Sequence, residues 1–330
     1  MEARKKDHIN LAFLSQISKE HADPRFNYEP LIGYQGKGEW PEISFLGKKL
    51  RVPMWVSSMT GGTELARAIN TNLALACREF GMGMGLGSCR ILLDNPGHLP
   101  DFDMREIIGN DLPFFANIGI AQLEHMLAEG SANKLYDLVG RLKADGLIIH
   151  VNPMQEWLQE EGDEISRPPV DTIQEFLENT DMKVIVKEVG QGMGPESIRR
   201  VLKLKIAAFE FAAFGGTNFA KIELSRSNPQ QQELFGPLSF IGHTAENMLS
   251  VINEIVENDR DVNCRQLIIS GGVNSFLDGY YYLSKSKLPA VFGQASSFLK
   301  YARNDYNELK YFIEQQIEGL NFAKAYLVPR

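Results

Sequence analysis

The stretch HVNPMQEW, residues 150–157, ends an apolar run with His150, Asn152, Gln155 and Glu156. A buried strand that finishes in an imidazole, two amides and a carboxylate points them at a shared cavity, since a core would leave such groups without partners. Similar ends recur along the chain: Ser58, Met59 and Thr60; Ser88; Asn117; Lys187; Thr217; Gly271 and Gly272; Gln294 and Ala295. Two of them say what is held. SGGVNS (270–275) and GQASSF (293–298) each lead into a helix, where glycine lets the backbone approach an anion and free N–H groups meet it. Lys187 closes KVIVK, and an ammonium inside an apolar strand calls for an anionic or electron-rich partner. That partner is either a carboxylate, Glu188 or another, or a flavin ring whose reduced form gains from a nearby cation. A phosphate-binding pair of loops beside a lysine suits a flat phosphorylated cofactor, for which FMN is the simplest candidate.

Positioning these groups requires a repeating scaffold. Eight apolar runs read as buried parallel strands: residues 51–58, 81–87, 113–119, 146–151, 183–189, 206–212, 266–272 and 289–293. Helix-like stretches lie between and after them, among them 64–80, 244–258 and 296–317. Eight such alternations predict an α/β fold, a closed (β/α)8 TIM barrel in which chemistry sits at the strand ends and phosphate binds after strands seven and eight. Residues 51–330 form that barrel as one domain, and residues 1–50 stand outside the repeat as an N-terminal extension covering it.

Composition narrows the function. A net charge of -8 argues against a nucleic-acid partner. No apolar run reaches the length of a bilayer span, and MEARKKDHINLAF lacks the pattern of a signal peptide, so no membrane association and a cytoplasmic location are expected. Cys77, Cys89 and Cys264 are odd in number and far apart, which fits reduced thiols.

The motifs RKKDH (4–8), SSMTGG (57–62), GLGSCR (85–90), HVNPMQE (150–156), VKEVGQG (186–192), FGGTNFAKIE (214–223) and SGGVNS together resemble the type 2, FMN-dependent isopentenyl-diphosphate isomerases. They run in family order from residue 4 to about residue 300. The resemblance implies an FMN-binding barrel that interconverts isopentenyl and dimethylallyl diphosphate by a 1,3-allylic proton shift in isoprenoid biosynthesis. NADPH would reduce the flavin, with no net redox change in the reaction. Ser58, Met59, Thr60, Ser88, Asn117, Lys187, Thr217, Gly271, Gly272, Val273, Asn274, Gln294 and Ala295 match FMN positions. Arg4, Lys5, His8, Ser88, Cys89, Arg90, His150, Asn152 and Gln155 match positions around the prenyl diphosphate, with Gln155 and His150 as catalytic groups. Glu156 matches the Mg2+ ligand, which is consistent with a hard cation that keeps most of its waters. A homo-oligomer, tetramer or octamer, is implied as well.

The chain departs from the family pattern in three places. Cys89 stands where a glutamine is common, and FEFAAF (209–214) replaces an Asp followed by a glycine turn. Asn274 replaces an arginine that helps hold the FMN phosphate. Two rival readings follow: another FMN barrel oxidoreductase, or a non-catalytic member that binds FMN or a prenyl diphosphate.

Overall fold

The computed structural model describes residues 2–38, 40–58 and 62–330; Met59 and Thr60 lie outside the described residues, as do the side chains of residues 2, 3 and 37. Eight parallel strands form a closed barrel: β1 (Met54–Val56), β2 (Gly83–Gly85), β3 (Phe114–Gly119), β4 (Gly146–His150), β5 (Lys183–Lys187), β6 (Ala208–Glu210), β7 (Leu267–Ser270) and β8 (Ala290–Gln294). Phe292 of β8 pairs with Met54 of β1 and closes the ring. Seven strands fall within their expected runs, and β8 runs one residue past its own, to Gln294. Pairing mostly stops short of the run's end because the last residues turn their polar side chains to the rim.

The run GMGMGLG owes its glycines to packing. A Cβ at Gly83 would sit 2.3 Å from the Trp55 ring, and one at Gly85 would meet Ile148 at 2.5 Å. Trp55 is fully buried and fills that space from the neighbouring strand. Outside the barrel, the helix over 64–80 starts at a Thr63 cap and ends on Gly81 at φ 74°, as expected of an αL stop. The stretch 296–317 differs from expectation. It is two helices, Ser296–Ala302 and Tyr306–Tyr326, because Asp305 turns extended and caps the second by accepting the Asn307 N–H.

The hairpin Ile43–Phe45 and Lys48–Leu50 seals the N-terminal end of the barrel. Phe45, Leu46 and Leu50 are buried, the Leu46 N–H donates to Gln266 Oε1 at 2.7 Å, and Lys48 bridges Asp145 at 2.5 Å, just ahead of β7 and β4. Phe26–Tyr28 pairs with the C-terminal Leu327–Pro329. Residues 43–50 therefore belong to the barrel end opposite the rim, whereas Phe26 stacks on Tyr280 at 5.9 Å outside the barrel and every side chain from Arg4 to Pro24 is exposed. No described helix is long and apolar enough to cross a membrane.

Candidate active site

The C-terminal strand ends surround an open cleft with about 560 Å³ of empty space. Its floor carries Ser57 and Ser58 after β1, Lys187 from β5, Glu210 from β6, Ser270 from β7 and Gln294 from β8. Ser57 Oγ, Ser58 Oγ, Glu210 Oε2 and Gln294 Oε1 are buried with no well-formed hydrogen bond, though the Ser57 hydroxyl lies close enough to Glu210 to favour its charged form. That many orphaned polar atoms on one surface mark a place built for a polar ligand. The wall after β7 is glycine for a reason. Gly271 and Gly272 have φ of 84° and 71°, and a Cβ on Gly271 would lie 2.1 Å from the Ala213 carbonyl oxygen. Thr217, Val273, Asn274 and Ala295 line the same wall.

One expected source of free N–H groups is already used. The helix Phe276–Lys285 closes its own N-terminus by a capping box, in which Asp278 accepts from the Asn274 and Ser275 N–H groups and Ser275 from Asp278. The Asn274 side chain folds back onto the Gly272 carbonyl at 3.3 Å.

Lys187 is 6% exposed and donates to the Glu188 main-chain carbonyl at 2.8 Å. The Glu188 carboxylate is occupied elsewhere: its Oε2 accepts the N–H groups of Gly190, Gln191 and Gly192 at 2.6, 2.6 and 2.9 Å, fixing the turn after β5. Glu210, in register with Lys187 on the next strand, is the other carboxylate facing the ammonium. Burial pushes the Lys187 ammonium down, and the charges of Glu210 and then Glu188 oppose that.

On the opposite side of β5 the rim groups form two hydrogen-bonded sets. His150, in register with Lys187, has its Nδ1 2.8 Å from Asn117 Oδ1, and the Asn117 amide donates to the Leu86 carbonyl at 2.9 Å. Burial, then the Lys187 charge, pushes the His150 imidazole down to about 3. The ring is therefore neutral and offers the rim a hydrogen-bonding group, not a positive charge. In the second set, Asn152 Nδ2 donates to Gln155 Oε1 (3.2 Å) and Glu156 Oε1 (2.9 Å), and Gln155 Nε2 donates to Glu223 Oε1 (3.1 Å). Glu156 Oε2 accepts the Asp163 N–H at 2.8 Å, while the Asp163 carboxylate takes Arg90 (2.5 Å) and Gln122 (2.6 Å). Glu156 is thus an anchored carboxylate at the mouth, a position from which a hard cation can be held.

Arg90, Asn117, His150, Asn152, Gln155, Glu156 and Lys187 are brought together. Ser88 is exposed beside them. Cys89 is fully buried, its thiol on the Gly87 carbonyl and pushed up by burial to about 12, so it lies behind the rim. Arg4, Lys5 and His8 remain on the exposed helix Glu2–Leu11. Glu210, Glu223 and Asp163 escaped the sequence reading. The rule that singled out Lys187, a charge inside an apolar strand, applies equally to Glu210 in IAAFEFA.

No family model matches the chain. The isopentenyl-diphosphate delta-isomerase of Rickettsia akari (strain Hartford) is 32% identical, covering 97% of this chain and 92% of its own length. That of Rickettsia peacockii (strain Rustic) is 33% identical, covering 94% and 90%. The chain belongs to the isopentenyl-diphosphate delta-isomerase family. Isomerase relatives thus match the chain across barrel and extension alike. Among solved structures, the flavin-binding domain of baker's yeast flavocytochrome b2 superposes with a TM-score of 0.63 at 14% identity (91% of this chain, 71% of that one). A mandelate oxidase mutant carrying an FMN adduct gives 0.57 at 12% identity (92% and 87%). At such identities the likeness is one of fold.

Proposed function

We propose that the chain interconverts isopentenyl diphosphate and dimethylallyl diphosphate by a 1,3-allylic proton shift, with FMN in the cleft and Mg2+ on Glu156, as a step in isoprenoid biosynthesis. The observation that carries this reading is the adjacency of two unlike surfaces across β5. One is a glycine-walled cleft with orphaned polar atoms and a single buried cation, Lys187; the other is a rim of anchored amides and carboxylates.

The donor set fits FMN. The hydroxyls of Ser57 and Ser58 and the Gln294 amide can meet the polar edge of a flavin ring, and Lys187 can favour its reduced, anionic form. The wall of Gly271, Gly272, Thr217 and Ala295 leaves backbone room for a phosphate. Reduced FMN would supply an electron-rich ring and a proton-exchanging nitrogen beside the C5 unit, with NADPH as the external reductant.

The chain's own residues do the remaining work. Glu156 holds Mg2+ against the diphosphate, and Arg90 exchanges Asp163 for a phosphate oxygen. His150, fixed through Asn117, presents its Nε2 edge to the substrate. Gln155, held by Glu223 and Asn152, orients the alkene, and the Gln155–Glu223 pair can hold a proton next to the reacting carbons. Arg4, Lys5 and His8 close over the diphosphate when substrate binds, from the same chain or a neighbour in a homo-oligomer. Incubating the protein with isopentenyl diphosphate, FMN, NADPH and Mg2+ tests the reading: dimethylallyl diphosphate should form, and should fail to form when FMN or Mg2+ is omitted. A 2-hydroxyacid oxidised instead, with no isomer formed, would refute it.

A further inference from the structure

Glu210 is 0% exposed, faces the cleft, and has no part in the reaction outlined above. Its Oε1 accepts from Ser270 Oγ at 3.2 Å, and the Ser57 hydroxyl also favours its charged form although Oε2 makes no well-formed hydrogen bond. Its chain neighbours Phe209 and Phe211 are fully buried aromatics, so packing alone would be served by an apolar residue. A carboxylate kept in such a place is costly unless a charge answers it. Lys187 lies across the β5–β6 pairing in direct register and lines the same cleft. Burial pushes the Glu210 carboxyl up and the Lys187 ammonium down, and each group's charge is the largest force opposing the other's shift.

We propose that Glu210 is the counter-charge of Lys187 in the cleft floor, a positioning residue that sets how strongly the cleft favours a reduced, anionic ring over an oxidised, neutral one. This rests on the FMN reading above. An anionic ring beside the ammonium would keep Lys187 protonated, and without Glu210 that unanswered charge would stabilise the anion strongly and make the reduced state hard to leave. A carboxylate one strand away subtracts from that field, because the potentials of opposite charges oppose one another and a low effective dielectric enlarges both. The floor then selects for a phosphorylated ring by shape and hydrogen bonds, with its redox bias trimmed by the pair.

The test is the midpoint potential of the bound flavin, measured against a dye of known potential in the holoprotein. Glu210→Gln keeps the side-chain volume and the Ser270 bond but removes the charge. It is expected to favour reduced over oxidised flavin by at least tenfold, an upward shift of about 30 mV for a two-electron couple. Glu210→Asp keeps the charge and should move the potential by less than half as much. Lys187→Met combined with Glu210→Gln carries neither charge, so it avoids leaving a bare ammonium buried, and should return the potential close to that of the wild type. An unchanged potential in Glu210→Gln, an equal shift in Glu210→Asp, or a double variant as displaced as the single one would each overturn the inference. Wild-type protein that takes up no FMN would instead overturn the cofactor reading and this inference with it.

Discussion

Replacing His150 with glutamine should make the protein's stability less sensitive to acid. The His150 imidazole is held near a pKa of about 3 by burial and the Lys187 charge, whereas an unfolded histidine titrates near about 6.5. Between those values the unfolded chain binds a proton that the folded one does not. The stabilising contribution is therefore complete above about pH 6.5 and is lost as pH falls toward 3, at about 1.4 kcal/mol per pH unit. Going from pH 7.5 to 5.5 crosses only the upper part of that window, so this one group should cost the wild type about 1.4 kcal/mol, a ceiling because one ring edge reaches the mouth. Glutamine can still donate to Asn117 Oδ1 and has nothing to titrate. Urea denaturation of both proteins at the two pH values gives the double difference, in which all other groups cancel. An equal loss in wild type and His150→Gln would refute the neutral imidazole, as would a His150 resonance titrating near 6.5. It would also restore this ring as a source of charge for the diphosphate.

Glu156→Gln must turn its NH2 toward either Asn152 Nδ2 or the Asp163 N–H, losing one hydrogen bond worth about 1–3 kcal/mol along with the metal-binding charge. Turnover should fall at least about 100-fold, as expected for removal of a metal-held transition-state contact, with FMN content unchanged; an unaltered rate and Mg2+ requirement would contradict it. Gly271→Ala, whose Cβ meets the Ala213 backbone at 2.1 Å from a φ of 84°, should lower Tm and flavin content together, and a wild-type melt would show that the wall can yield. Deleting residues 1–8 should raise KM strongly while the barrel stays folded and yellow if Arg4, Lys5 and His8, which sit on an exposed helix, close on the substrate as proposed; an unaffected KM would leave that segment a tail.

The barrel was legible because strands buried on both faces read as unbroken apolar runs, and the rim was legible because those runs end in groups a core would not accept. His150, Asn152, Gln155 and Glu156 were visible on that ground, but their pairing was not. Asn117 orients His150 from another strand and Glu223 reaches Gln155 from a helix 68 positions away, links that sequence order does not show. The inward turn of Cys89 was hidden too, since its direction depends on an N–H bond to the Asn117 carbonyl. Lys187 stood out as a charge in an apolar strand, whereas its relation to Glu210 follows only from the β5–β6 register. The capping box of Ser275 and Asp278 was readable as S-x-x-D, and it withdraws N–H groups that the loop SGGVNS by itself offers a phosphate.

The central claim is an isomerisation in which flavin is reduced yet not consumed, carried out at the rim of this barrel. Running the reaction on isopentenyl diphosphate in D2O, with FMN, Mg2+ and a limiting amount of NADPH under argon, tests it most directly. Many molecules of dimethylallyl diphosphate should form per NADPH oxidised, and the product should carry deuterium at the carbon that gains the proton. Product limited to one per NADPH, or a flavin-loaded protein that leaves isopentenyl diphosphate unlabelled and unchanged, would contradict the account.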